Sequence, residues 1–216
     1  MEGQFIFIKE QYFKDFPDSQ LMKNKEIVGG KTSGRPCFLA FEGDNNPEIL
    51  WCVPISSQVS KYKKVYDDKM QKFGKCNTIR FGEVLGQERA FLIQNMFPIT
   101  RKYIKSTYMD KNTSNPVTLP PRTEKDVVKH AKQVLNLYNI GKKIIFPNVS
   151  LIENVLSQGI AAEKEIAVSL QPNHGRNKIV QSLYPDVERK FHYGHAADAK
   201  EQTSGIPELE EDEPEL

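Results

Sequence analysis

A short stretch near the first third of the chain holds residue types suited to phosphate chemistry. It reads Trp51-Cys-Val-Pro-Ile-Ser-Ser-Gln-Val-Ser-Lys-Tyr-Lys-Lys64. Ser56 and Ser57 are adjacent hydroxyls at the point where a strand pattern gives way to a helical one. Lys61, Lys63 and Lys64 follow within two turns. Backbone N–H groups at a helix start, with lysines close by, attract a phosphate through the helix dipole and through charge. Tyr12 and Arg35 join this set because each stands near a strand end. Together they are a set of phosphate-binding and proton-handling groups near strand ends. The alternative reading of the same residues is a capped surface helix with solvated lysines.

The elements that must position these groups follow from the apolar pattern. Ile49 to Pro54 reads as a strand that Pro54 ends, because proline lacks an N–H. Val59, Tyr62, Tyr66, Met70 and Phe73 form one stripe of a helix over 58–73, with Ser57 as its N-cap and Gly74 closing it. Gln4 to Ile8 is a strand, and Lys9 to Phe16 a helical turn that carries Tyr12. Residues 18–34 read as a polar loop with Gly29, Gly30 and Gly34 as breakers. Cys37 to Glu42 is the next strand. Asn77 to Val84 and Arg89 to Phe97 form a hairpin about Gly86-Gln87. Arg101 to Tyr108 reads as a short helix capped by Thr100. Thr123 opens an amphipathic helix carrying Val127, Ala131, Val134, Leu135 and Tyr138, which ends at Gly141. Lys143 to Phe146 is a strand or connector, Val149 to Leu156 is helical, and Ala161 to Leu170 is a further helical stretch. Five or six short strands with helices inserted or appended make an α+β domain, a small curled sheet or barrel with helices against it.

Composition narrows the function classes. The 216 residues are 38% hydrophobic, below the globular average, which points to polar segments outside the core. No run of about 18 apolar residues is present, so no membrane span is expected. Met1 to Ile8 lacks a basic region and a cleavage site, so no secretory signal is expected. Cys37, Cys52 and Cys76 form no CxxC pair, which disfavours a disulfide framework or a zinc site and fits reduced cytoplasmic thiols. Residues 201–216 hold seven acids and no Lys or Arg. Residues 1–200 therefore carry 30 bases against 21 acids, a net of +9. Such a balance favours a polyanionic partner. No GxGxxG, P-loop or metal-ligand cluster is found, so no cofactor or metal is expected. His174, His192 and His195 fall in the weakly patterned C-terminal segment, and His130 reads as a surface or edge residue of the amphipathic helix.

Several stretches together resemble the endoribonuclease toxins of type III toxin–antitoxin systems, the ToxN/AbiQ/CptN family. Phe5-Ile-Phe-Ile-Lys-Glu-Gln-Tyr12 resembles the opening strand and its tyrosine. Arg35-Pro36 resembles the basic entry to the second strand. Pro54-Ile-Ser-Ser57 with Lys61 resembles the proline–hydroxyl–hydroxyl–lysine site, and Leu92 to Ile99 the late strand. The resemblance covers about residues 4–157. In many relatives the lysine follows the hydroxyl pair almost at once, whereas Gln58-Val-Ser60 intervene here, which leaves Lys61, Lys63 and Lys64 as alternatives.

The resemblance implies a compact SH3-like β-barrel of MazF/PemK type with inserted and appended helices. It implies metal-independent RNA cleavage by 2′-hydroxyl attack, giving 2′,3′-cyclic phosphate and 5′-hydroxyl ends. It also implies a repeated RNA pseudoknot antitoxin held with the toxin in a closed hetero-oligomer, in an antiviral abortive-infection system. Ser57, Ser56, Lys61, Arg35 and Tyr12 are the expected catalytic residues. Lys9, Lys31, Lys63, Lys64 and Asn95 are the expected RNA contacts. The expected division is a toxin domain over 1–157, a partly helical extension over 158–195 and an acidic disordered tail over 196–216. A non-catalytic RNA-binding module, or a basic phage or plasmid interaction protein, would use the same basic surface.

Overall fold

The strand that precedes the two serines is buried along its whole length. β5 (Leu50–Ser56) has seven buried residues in a row, a pattern expected of a strand covered on both faces. In the computed structural model, which describes residues 3–28 and 31–169, this strand is the pivot of the sheet. One of its edges pairs with β4 (Cys37–Glu42). Its other edge is shared: Leu50 to Cys52 pair with β8 (Phe97–Ile99), and Ile55 and Ser56 pair with β7 (Gln87–Leu92). Pro54 does not end β5, contrary to the sequence expectation. It falls in the gap between these two partners, where a missing N–H breaks no ladder bond on that edge.

The remaining strands extend the sheet on both sides. β1 (Phe5–Ile8) pairs with β4 and with β9 (Ile104–Thr107), and β6 (Ile79–Val84) pairs with β7. The order is β6-β7-β5-β4-β1-β9, with β8 beside β5, and every pairing is antiparallel. The architecture is α+β as expected. The sheet is open, with β6 and β9 at its ends, so the expected closed SH3-like barrel is not found. The β6–β7 hairpin turns on Leu85 and Gly86, both at positive φ of 52° and 71°, one residue earlier than expected. That is the backbone sense of a type I′ turn, which matches the strand twist.

Two segments depart from their expected state. Residues 18–34 contain a second hairpin, β2 (Lys25–Val28) on β3 (Lys31–Gly34), in place of a continuous loop. Its strands are mostly polar, so no apolar alternation marks them. Residues 101–108 begin as a 3-10 turn, Arg101–Tyr103, and continue as β9 rather than as a helix. Ile104 and Thr107 are β-branched and pair with Ile8 and Ile6.

A short helix, α1 (Glu10–Asp15), follows β1 and carries Tyr12, and three longer helices pack on the sheet. α2 (Val59–Phe73) ends on Gly74, whose φ of 68° is the left-handed cap expected of it. α2 lies on the outer side of the β6–β7 hairpin, where Tyr62, Val65 and Tyr66 cover a small cluster of Cys76, Ile79, Ala90 and Leu92. α3 (Pro121–Asn139) starts two residues before the predicted cap, with a proline in the first turn. It buries Val127, Ala131 and Val134 as the periodicity requires. α4 (Val149–Ser169) buries Val149, Ile152, Leu156 and Ile160 and contacts β8. It runs unbroken from Val149 to Ser169, so residues 158–169 are helical. The described part of the extension is thus this helix, and the acidic tail lies outside the described residues.

Trp51, Phe38 and Phe97 are buried in the main core, with Cys37 and Cys52 as free thiols. Phe5, Phe38 and Phe91 form a ring cluster with centroids 5.4 to 6.2 Å apart. Truncating one such ring to alanine costs about 3–5 kcal/mol. Among the described residues no helix is long and apolar enough to cross a membrane.

Candidate functional site

The junction between β5 and α2 carries Ser56, Ser57, Lys61 and Tyr62 along the chain, and Arg35 reaches its β5 end. Arg35 precedes β4 and reaches across to β5. Its Nη1 donates to the Ile55 carbonyl at 2.9 Å and its Nε to the Lys23 carbonyl at 3.0 Å. Its backbone N–H donates to the Asn24 carbonyl at 2.7 Å. These bonds fix a guanidinium charge one residue from Ser56 and two from Ser57. A cation held by backbone carbonyls needs little reorganisation when charge develops nearby.

The two serines have different surroundings. Ser56 is buried, and its Oγ accepts the Gln58 backbone N–H at 3.2 Å. Ser57 is half-buried, and its carbonyl accepts the Val59 N–H at 2.9 Å. The N-cap is Gln58, with no side-chain cap bond, so Ser57 is not the cap the sequence suggested. The Ser56 hydroxyl instead supports the turn into the helix. Ser57 is the more accessible of the pair.

Tyr62 lies one turn into α2, and in the sequence it marks only the apolar stripe. Its phenol is close enough to Arg35 for the two to interact. Burial pushes the phenol upward from its ordinary value, and the Arg35 charge pulls the other way, with the upward effect larger. The phenol therefore keeps its proton at neutral pH and can donate it. Lys61 is exposed, with its ammonium 5.6 Å from the Tyr62 ring centre. The signal available in the sequence was position: Tyr62 directly follows Lys61 and falls one turn after the serines.

Other expected site residues are placed elsewhere or are already occupied. Tyr12 is fully buried, and its hydroxyl donates to the Pro98 carbonyl at 2.9 Å. A ring with no exposed face cannot stack on a base, so Tyr12 belongs to the core. Burial also pushes its phenol well above the ordinary range. Asn95 is buried in the 3-10 turn Ile93–Asn95. Lys63 is ion-paired with Glu88 at 2.7 Å. Lys9 donates its ammonium to the Lys102 carbonyl at 2.6 Å. Lys64 is exposed, and Lys31 lies on β3.

A cavity of about 370 Å³ adjoins the Arg35 side of the junction. Gly34 and Asn24 form part of its wall, and Lys25 and Lys105 bring charge to it. Lys25 is partly balanced by Glu10 at 3.7 Å. His130 sits apart on α3, its Nδ1 2.8 Å from the Asp126 carbonyl oxygen. Among the described residues no three His, Cys, Asp or Glu side chains gather where they could hold a metal ion.

No family model matches the sequence, and no curated protein matches it. A solved structure does resemble the fold, that of AbiQ, a lactococcal anti-phage endoribonuclease belonging to the type-III toxin-antitoxin system. The superposition has a TM-score of 0.52 at 9% sequence identity, and covers 73% of this chain and 98% of AbiQ. With nearly the whole of that chain accounted for, the fold of this protein is the AbiQ fold.

Proposed function

We propose that this chain is the toxin of a type III toxin–antitoxin system of the abortive-infection type. In this reading it is an endoribonuclease that needs no metal and acts in the cytoplasm. Its products are 2′,3′-cyclic phosphate and 5′-hydroxyl ends. A repeated RNA pseudoknot restrains it in a closed hetero-oligomer. The observation that carries the reading is the fold shared with an endoribonuclease over almost its whole length. The basic balance of residues 1–200 and the cluster at the β5–α2 junction support it.

The chemistry divides among the residues of the junction. The 2′-oxygen forms a bond to phosphorus, the bond from phosphorus to the 5′-oxygen breaks, and the 2′-proton passes to solvent water. Ser57 orients the 2′-hydroxyl or a phosphate oxygen, since a serine hydroxyl is too weak a base to remove the proton alone. Arg35 and Lys61 stabilise the negative phosphorane. Tyr62, protonated at neutral pH, donates toward the departing 5′-oxygen. Tyr12 is left out because it is buried, and Ser56 is left to the turn.

Ser57→Ala tests the assignment. Its hydroxyl is one contact among several, since lysines and backbone groups carry most of the affinity for RNA. The variant should keep its melting temperature, because Ser57 is not the N-cap. It should also keep antitoxin-RNA affinity and lose the ability to arrest growth of a bacterial host. A folded Ser57→Ala that arrests growth like the wild type would refute the assignment.

A further inference from the structure

α2 leads from the candidate site to a second concavity. Tyr62, Tyr66, Lys69 and Phe73 recur at i, i+4, i+7 and i+11, so they share one face over about 16 Å. At the far end, a cavity of about 370 Å³ lies between the C-terminal end of α2, the lead into β6, the end of α3 and the segment before α4. Two rings stand at it largely uncovered: Phe73 is 60% exposed and Phe146 is 49% exposed. Lys69, Lys75 and Lys143 line it, and no carboxylate does.

The walls of this cavity are held in place. The Phe146 N–H donates to the Gln94 carbonyl at 2.8 Å. Lys69 donates to Thr78 Oγ1 at 2.8 Å and to Gln94 Oε1 at 2.7 Å. An ammonium has three donors, so one more remains to offer a ligand. Asn77 adds an amide, which can both donate and accept. Exposed rings within a ring of lysines match a partner that is flat, apolar on its faces and anionic along its backbone. Single-stranded RNA has all three properties.

We propose that this cavity binds a nucleobase of a single-stranded RNA that also occupies the β5–α2 junction, a few nucleotides from the phosphate held there. The inference rests on the endoribonuclease reading. The base stacks on Phe73, Lys75 and Lys143 meet its flanking phosphates, and Lys69 and Asn77 reach its edge. The base in this cavity then contributes to the choice of cleavage sequence.

The test is anisotropy with short, mixed-sequence, 2′-fluoro oligonucleotides, which lack the attacking hydroxyl and cannot be cut. Phe73 is exposed, so Phe73→Ala leaves the core untouched. It should weaken binding by at least about fivefold, the low end of one lost stacking contact, and Phe73→Trp should restore it. Equal affinity for wild type and Phe73→Ala overturns the inference. So does a glutamate-rich, phenylalanine-containing peptide that binds the wild type and not Phe73→Ala while oligonucleotide affinity is unchanged, a result that favours an acidic protein partner. If the wild type binds the oligonucleotide but does not cut RNA of the same sequence, the endoribonuclease reading fails and the cavity is still judged by the two Phe73 variants. If the wild type binds no oligonucleotide, both are overturned.

Discussion

Tyr62→Phe removes a single oxygen from the β5–α2 junction. The ring is half-buried against the small cluster of Cys76, Ile79, Ala90 and Leu92, and phenylalanine preserves that packing. No hydrogen bond within the core is at stake, so the melting temperature should change little. Burial keeps the phenol protonated to higher pH than a free tyrosine, and the Arg35 charge, within electrostatic reach, opposes this only in part. It therefore supplies a protonated phenol within the electrostatic reach of a fixed cation. Removing one donor of this kind lowers kcat by about 10²–10³-fold. Fluorogenic RNA cleaved under single-turnover conditions gives the rate, and a thermal melt verifies the fold. The pH profile adds a second readout. The raised phenol predicts a wild-type rate limb attributable to this donor that holds through pH 9 and falls only above the ordinary tyrosine value of about 10. Tyr62→Phe should lack that fall. A Tyr62→Phe rate within twofold of wild type at an unchanged melt would refute the role.

Tyr12→Phe should do the reverse, because its hydroxyl serves the Pro98 carbonyl inside the core. It should lower stability by about 1 kcal/mol, a few degrees of melting temperature, with the cleavage rate of the folded protein retained. Lost activity at an unchanged melt would return Tyr12 to the site. Lys61→Ala should weaken RNA binding and reduce the salt slope by about 1. Lys63→Ala should change both much less, because Glu88 already balances Lys63. Salt-dependent binding isotherms compare the two, and the opposite ranking would move the site along α2.

The parts of this fold that were legible in the sequence are those with a strong local pattern. β5, the β6–β7 hairpin, α2 and α3 announce themselves through apolar runs, a glycine turn and helical periodicity. The β2–β3 hairpin escapes because its strands are Lys-Glu-Ile-Val and Lys-Thr-Ser-Gly, with little apolar alternation. The register pairs Val28 with Lys31, and the Gly-Gly pair that stands between them in the sequence is a hairpin signal as much as a break. β9 escapes because its strand state depends on pairing with β1, about a hundred residues earlier. The candidate site was half legible. Two serines before a lysine-bearing helix mark it from local spacing. Which serine supports the turn depends on the Gln58 N–H, and the placing of Arg35 depends on the Ile55 carbonyl 20 residues away. Tyr12 shows the same limit. A tyrosine on a short helix after a strand suits core and site equally, and only the Pro98 carbonyl, 86 residues on, decides between them.

The most direct measurement is cleavage of a defined single-stranded RNA by the purified protein in excess EDTA, with analysis of the product ends. Attack by the 2′-hydroxyl, stabilised by Arg35, Lys61 and Tyr62, predicts undiminished cutting, with 2′,3′-cyclic phosphate on one product and 5′-hydroxyl on the other. Loss of all cutting in EDTA, or products that carry a 5′-phosphate, would contradict it.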